Sequence, residues 1–164
     1  MSPRISASTP STASSTLVGV VVVGHGRTAS TVLAAARAII GDGRLDDVIA
    51  VDAGEGETPR LNAEMCAVMA RADRGRGVLL LVDLLGASPC QCGQREGLAH
   101  DLTVLSGLSL AMLLKLSTLD RAQLDGPALA TACEDSARRA MVTTHRSACA
   151  SAPAPALAAD GTHG

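Results

Sequence analysis

The sequence predicts an α/β fold: an open, mainly parallel sheet in the order 2-1-3-4 with helices on both faces. Two observations carry this. Leu17 to Val23 and Gly77 to Asp83 are almost continuously apolar, as strands covered on both faces must be. Between and beyond them run segments with helical spacing, so strands and helices alternate and right-handed crossovers favour parallel pairing. The 164 residues suffice for one domain with tails, and 47% hydrophobic residues suffice for its core.

The elements follow in order. Residues 1–16 are Ser/Thr-rich with Arg4 as the one charge, and read as a disordered leader. Leu17 to Val23 is the first strand, and its apolar run is far shorter than the roughly 20 residues of a membrane span. Thr28 to Ile40 follows as a helix, with Val32, Ala36, Ile39 and Ile40 on one face and Gly41 as its stop. Asp47 to Asp52 forms the second strand. Thr58-Pro59 has the form of an N-cap followed by proline in the first turn, ahead of Leu61, Met65, Val68 and Met69 at helical intervals.

Gly77 to Asp83 is the third strand, and Ser88-Pro89 opens another helix by the same cap chemistry. Leu102 to Leu105 is the fourth strand. Leu108 to Leu119 and Pro127 to Val142 read as helices about a turn at Asp125-Gly126-Pro127. The domain spans 17–146, and 147–164 is an Ala/Pro-rich tail whose composition cannot bury enough surface to order itself.

Composition narrows the functions. Phe, Tyr and Trp are absent, so there is no platform for stacking on single-stranded nucleic acid. A net charge of −2 gives no basic field for a polyanion. Five cysteines (Cys66, Cys90, Cys92, Cys133 and Cys149) at irregular spacing point to reduced thiols in the cytoplasm. Cys90-x-Cys92 with His100 lacks the C-x-x-C spacing of a metal site, and no metal is expected. His100, His145 and His163 have no partner legible in the sequence.

In a 2-1-3-4 sheet ligands bind outside the carboxyl ends of the strands, where the order reverses between strands one and three. Here those strands end in Gly24-His25 and in Asp83, and a helix begins directly after His25. An imidazole at a helix N-terminus faces backbone N–H groups, and a neighbouring carboxylate fixes its tautomer and stabilises its cation. Ser88, with the N–H groups of Gly86, Ala87 and Ser88, can bind anionic oxygens. This set suits transfer of a phosphoryl group onto His25 and off again.

Blander readings stand beside it. A histidine in a tight turn is often structural, an Asp at a strand end is often a cap or a surface charge, and Ser88-Pro89 alone reads as an N-cap. A sharper rival uses the same residues. Gly24 to Ala29 fits G-x-G-x-x-A, with Asp46, Asp47 or Asp52 as a ribose-binding acid. Against this dinucleotide reading stand four strands without a second mononucleotide half, and a bulky histidine between the glycines.

VVVGHGRTAS, LLLVDLLGASP and the later LSGLSLAMLL resemble, in order and spacing, the enzyme IIA domains of the mannose/fructose/sorbose class of the bacterial phosphoenolpyruvate:sugar phosphotransferase system. The resemblance covers about Leu17 to Asp120. It implies that His25 is the phosphorylated histidine, accepting from phospho-HPr and passing the group to an enzyme IIB component. It implies further that Asp83 orients His25 and that Gly86, Ala87 and Ser88 contact the phosphate. A cytoplasmic homodimer, a link to membrane IIC/IID components through IIB, and no cofactor are part of the same expectation. The chain has Gln91 where the family often has Asn, and Ser109-Leu110-Ala111-Met112 where it often has Asn-x-Pro-Met. Two related readings use the same histidine: a sensor of phosphorylation state without transport, and the enzyme IIA-like subunit of dihydroxyacetone kinase.

Overall fold

The computed structural model describes residues 16–55, 58–85 and 100–145. Gly86, Ala87, Ser88, Cys90, Gln91, Cys92, Cys149 and His163 lie outside these, as do most of the expected leader and tail and the helix expected at Ser88-Pro89. Four strands, β1 (Leu17–Gly24), β2 (Ile49–Asp52), β3 (Gly75–Val82) and β4 (Leu102–Ser106), form one sheet in the order β2-β1-β3-β4. All three pairings are parallel. The helices among the described residues are α1 (Thr28–Ile40), α2 (Pro59–Ala72), α3 (Leu110–Leu116) and α4 (Gly126–Ala140).

Alternation along the central strands explains the layers, because successive side chains of a strand point to opposite faces. Val18, Val20, Val22, Leu79 and Leu81 enter one core with Leu33, Leu113, Leu116 and Leu129 of α1, α3 and α4. Val21, Val23, Leu80 and Val82 enter the other with Leu61, Met65, Val68 and Met69 of α2. Each fully buried Val or Leu contributes about 1.5–3 kcal/mol relative to exposure. A run apolar at every position is therefore stable only as a strand with helices on both sides. Gly19 is the exception in β1, because a Cβ there would stand 1.9 Å from the Ala72 carbonyl oxygen at the end of α2.

Several boundaries differ from the sequence expectation, for local reasons. In α1 the buried stripe is Ala29, Leu33 and Ala36, while Ile39 is exposed. β2 starts at Ile49 because the chain before it is still turning, with the Val48 N–H bonded to the Leu45 carbonyl, and because Asp47 turns aside to Arg121 (Oδ1 to Nη2, 2.6 Å). α3 is shorter than Leu108–Leu119. Ser109 caps it, accepting from the Met112 N–H at 3.3 Å, and the hydroxyls of Ser117 and Thr118 bond back to the Leu114 and Lys115 carbonyls where it ends. Asp125 caps α4 through the Ala128 N–H at 2.9 Å. No helix of the described residues is long and apolar enough to cross a membrane.

Candidate functional site

Three strand ends meet at one level. Gly24 is paired with Asp52 at the end of β2, and Val23 with Val82, so Asp83 lies one step beyond the end of β3. The Asp83 N–H continues the ladder to the Val23 carbonyl at 3.3 Å. Beyond Gly24 the chain turns through His25 and Gly26, whose φ of +56° is a left-handed conformation that a side chain disfavours. Two further bonds strap this turn to β2, from the Ala53 N–H to the Gly24 carbonyl (2.9 Å) and from the Gly26 N–H to the Gly54 carbonyl (2.8 Å).

Asp83 holds His25 in two ways. Its Oδ2 accepts the His25 backbone N–H at 2.8 Å, and its two oxygens lie 3.1 and 3.2 Å from the ring Nδ1. Gly24 makes this approach possible, since a Cβ there would press on Thr28, the Ala29 nitrogen and Asp83 Oδ2 at 3.1 to 3.3 Å. Partial burial opposes ionisation of Asp83, but the bonds from the His25 backbone N–H, the His25 ring and the Leu84 N–H outweigh it and hold the carboxyl below its ordinary range. Asp83 is thus ionised at neutral pH. An ionised carboxylate only accepts, so Nδ1 carries a ring proton, and in the neutral ring the lone pair is then on Nε2. Among the described residues Nε2 has no hydrogen-bond partner, and the side chain is 42% exposed against 20% for Asp83. The result is an oriented, accessible nitrogen nucleophile backed by a negative charge.

The start of α1 is arranged differently from the sequence expectation. Its preceding residue, Arg27, makes no side-chain cap bond, and its first turn carries no acidic residue. Asp52 supplies the cap from β2, accepting the Ser30 N–H at 2.9 Å and the Ser30 hydroxyl at 2.6 Å. The Thr28 N–H is donated to the His25 carbonyl. The imidazole therefore sits beside a helix end whose Thr28 and Ser30 N–H groups are already engaged. The same bonds leave the dinucleotide reading unsupported, because Asp52 occupies the end of α1 where that reading needs a pyrophosphate.

Sequence reasoning brought His25 and Asp83 together but did not find the Asp52–Ser30 bonds, which join residues 22 positions apart. It also left His100 without a partner. His100 Nδ1 lies 2.7 Å from Asp73 Oδ2 at the opposite edge of the sheet, where Asp73 also accepts from the N–H groups of Gly75 and Gly77. Ser109, one of the departures from the expected motif, keeps a helix-capping role. Gly86, Ala87 and Ser88 lie outside the described residues. No group of His, Cys, Asp and Glu that could hold a metal ion occurs among the described residues.

The fold has close counterparts among solved structures. The mannose/sorbose-specific IIA subunit of the phosphotransferase system from Enterococcus faecalis aligns at 25% identity, covering 80% of this chain and 97% of that one, with a TM-score of 0.68. The phosphotransferase system component EIIA from Streptococcus agalactiae aligns at 22% identity over 77% of this chain and 97% of its own, with a TM-score of 0.64. The PTS IIA protein associated with the fucose utilization operon from Streptococcus pneumoniae aligns at 22% identity over 74% and 92%, with a TM-score of 0.62. Comparison with curated proteins finds no match. Residues 19–133 match the family model described as PTS system fructose IIA component, and the chain belongs to that family.

Proposed function

We propose that this protein is a phosphocarrier of the phosphoenolpyruvate:sugar phosphotransferase system, accepting a phosphoryl group on Nε2 of His25 from phospho-HPr and passing it to an enzyme IIB component. The observation that carries the reading is the pairing of Nδ1 with Asp83, which leaves the lone pair on an accessible Nε2. In the forward step the Nε2 lone pair attacks phosphorus. The new N–P bond forms as the bond to the donor atom of HPr breaks, and that bond's electron pair leaves with HPr. Nδ1 keeps its proton, so the phosphorylated ring is cationic and Asp83 stabilises it. Transfer to IIB reverses the sequence of bonds.

The setting of the histidine supports a macromolecular partner. A His25 side chain that is 42% exposed suits docking against another protein better than capture of a small substrate in a closed pocket. The reading assigns phosphoryl contacts to the Gly86 and Ala87 backbone and to Ser88, which follow Asp83 closely in the chain. It expects a homodimer, and it places membrane IIC/IID components downstream of IIB.

Intact-mass analysis after incubation with phosphoenolpyruvate, enzyme I and HPr tests the reading. Wild type should gain an acid-labile phosphoryl group that is lost on addition of IIB, and His25→Ala should gain none. A wild type left unmodified by the enzyme I and HPr of its own source defeats the proposal.

A further inference from the structure

We propose that Asp52 is a positioning residue that keeps the phosphoryl group on His25 labile, by occupying the N-terminus of α1 with a carboxylate of its own. This rests on the phosphocarrier reading. A phosphoryl group brings about −1.5 to −2 charge, and a helix N-terminus beside it would ordinarily hold that charge. In this chain two N–H groups of the helix end directly after His25, those of Thr28 and Ser30, are already engaged. Asp52 accepts both the N–H and the hydroxyl of Ser30, at 2.9 and 2.6 Å.

The strand register makes the arrangement specific. Asp52 is paired with Gly24, the residue before His25. Neighbouring strands stand about 4.8 Å apart, and the Asp52 carboxylate bonds to Ser30 in the first turn of the helix that starts three residues after His25. The two carboxylates around His25 therefore act in opposite senses. Asp83 bonds to the ring and favours the cationic phosphorylated imidazole, whereas Asp52 cancels the positive end of α1 and repels the phosphoryl oxygens. A cap drawn from the first turn of the helix itself would have been the local solution, and α1 has no acidic residue there.

Asp52→Asn keeps the size of the side chain and one acceptor for Ser30 while removing the charge, and Asp52→Ser is a second neutral cap should the first fold poorly. The quantity to measure is the equilibrium ratio of phosphorylated to free protein in exchange with phospho-HPr. Loss of one charge at a helix terminus should raise this ratio about two- to fivefold, and added salt should shrink the difference. Thermal melting of the same samples separates charge from folding, since a purely structural cap lowers Tm and leaves the ratio alone. Neutral variants that melt lower but show the wild-type ratio overturn the proposal. A wild type that takes up no phosphoryl group removes the phosphocarrier reading and this inference together; an altered Tm with a normal ratio removes this inference alone.

Discussion

Replacing Asp83 by Asn changes one oxygen to an NH₂ group and should invert the chemistry of His25. In the native site both oxygens lie within 3.1 to 3.2 Å of Nδ1, and Oδ2 also accepts the His25 backbone N–H at 2.8 Å. An asparagine whose oxygen keeps the backbone bond presents its NH₂ group to the ring. The NH₂ at the Oδ1 position, 3.2 Å from Nδ1, then favours an accepting Nδ1, which moves the ring proton to Nε2 and takes the lone pair away from the incoming phosphorus. On the phosphocarrier proposal the variant also loses the charge that would stabilise the cationic phosphorylated ring.

Hydrogen bonds to charged groups contribute about 1.5–3 kcal/mol. The 42% exposure of His25 places this one at the screened, lower end. A loss of about 1.5 kcal/mol corresponds to roughly a tenfold slower transfer. Tautomer reversal sets the upper bound, since the same Asp-to-Asn change in the Ser-His-Asp triad costs about 10⁴ in kcat. Rapid-quench measurement of phosphoryl uptake from phospho-HPr reads this window directly. Uptake by Asp83→Asn within about twofold of wild type, with Tm unchanged, would refute the assignment of the Nδ1 proton and with it the role of Asp83.

Two predictions concern the scaffold. Gly19→Ala places a Cβ 1.9 Å from the Ala72 carbonyl oxygen, so β1 and the end of α2 must separate; overpacking of this kind costs about 1–3 kcal/mol, and calorimetry should show Tm lower by roughly 4–12 °C. An unchanged Tm would mean that α2 does not close on β1 as described. Asp73 and Asp83 have folded pKa values below their ordinary 3.8, because bonds from Gly75, His100 and Gly77 to Asp73, and from His25 and Leu84 to Asp83, outweigh the opposing effect of burial. The sign follows from linkage: their contribution is complete above the unfolded value of about 3.9 and is lost as pH falls through the lower folded values. Urea unfolding from pH 6 to 2 should therefore show stability falling in the acid limb, with a shallower fall in Asp73→Asn; equal slopes would contradict the pairing.

The sequence is most readable where burial is complete on both sides. Leu17 to Val23 and Gly77 to Asp83 have one viable environment, a central parallel strand, and the crossover rule then brings His25 and Asp83 to one edge without any contact having been inferred. Readability fails where the outcome depends on a polar side chain choosing among partners. Asp52 is a strand-end acid compatible with a surface charge, a ribose contact or a cap, and only the placement of α1 beside β2 decides for Ser30. His100 and Asp73 likewise meet because α2 ends where β4 begins, a matter of packing between elements rather than of spacing along the chain. The shorter α3 has the same origin. Leu108 and Leu119 continue the apolar rhythm, but Ser109, Ser117 and Thr118 turn their hydroxyls onto the backbone and set the limits.

The order of the sheet explains why strand-end aspartates flank the turn at His25 on both sides, Asp83 bonded to His25 and Asp52 to Ser30. β1 is central, so a residue just past its end has strand ends on either side, and here an aspartate stands level with Gly24 on each side, Asp52 as the last residue of β2 and Asp83 one step beyond β3. What separates their roles is how the chain leaves each strand. After β2 the pairing continues past the turn, through Ala53 to Gly24 and Gly26 to Gly54, while the Asp52 carboxylate engages the first turn of α1. After β3 the bond that continues the pairing with β1 among the described residues runs from the Asp83 N–H to Val23, and the carboxylate bonds to the ring Nδ1. A carrier must bind its phosphoryl group tightly enough to accept it and loosely enough to release it. On the phosphocarrier proposal, a central strand flanked by two acids would meet both demands, one carboxylate acting on the ring cation and the other on the helix end, so the balance would be altered at Asp52 without disturbing the bonds between Asp83 and His25.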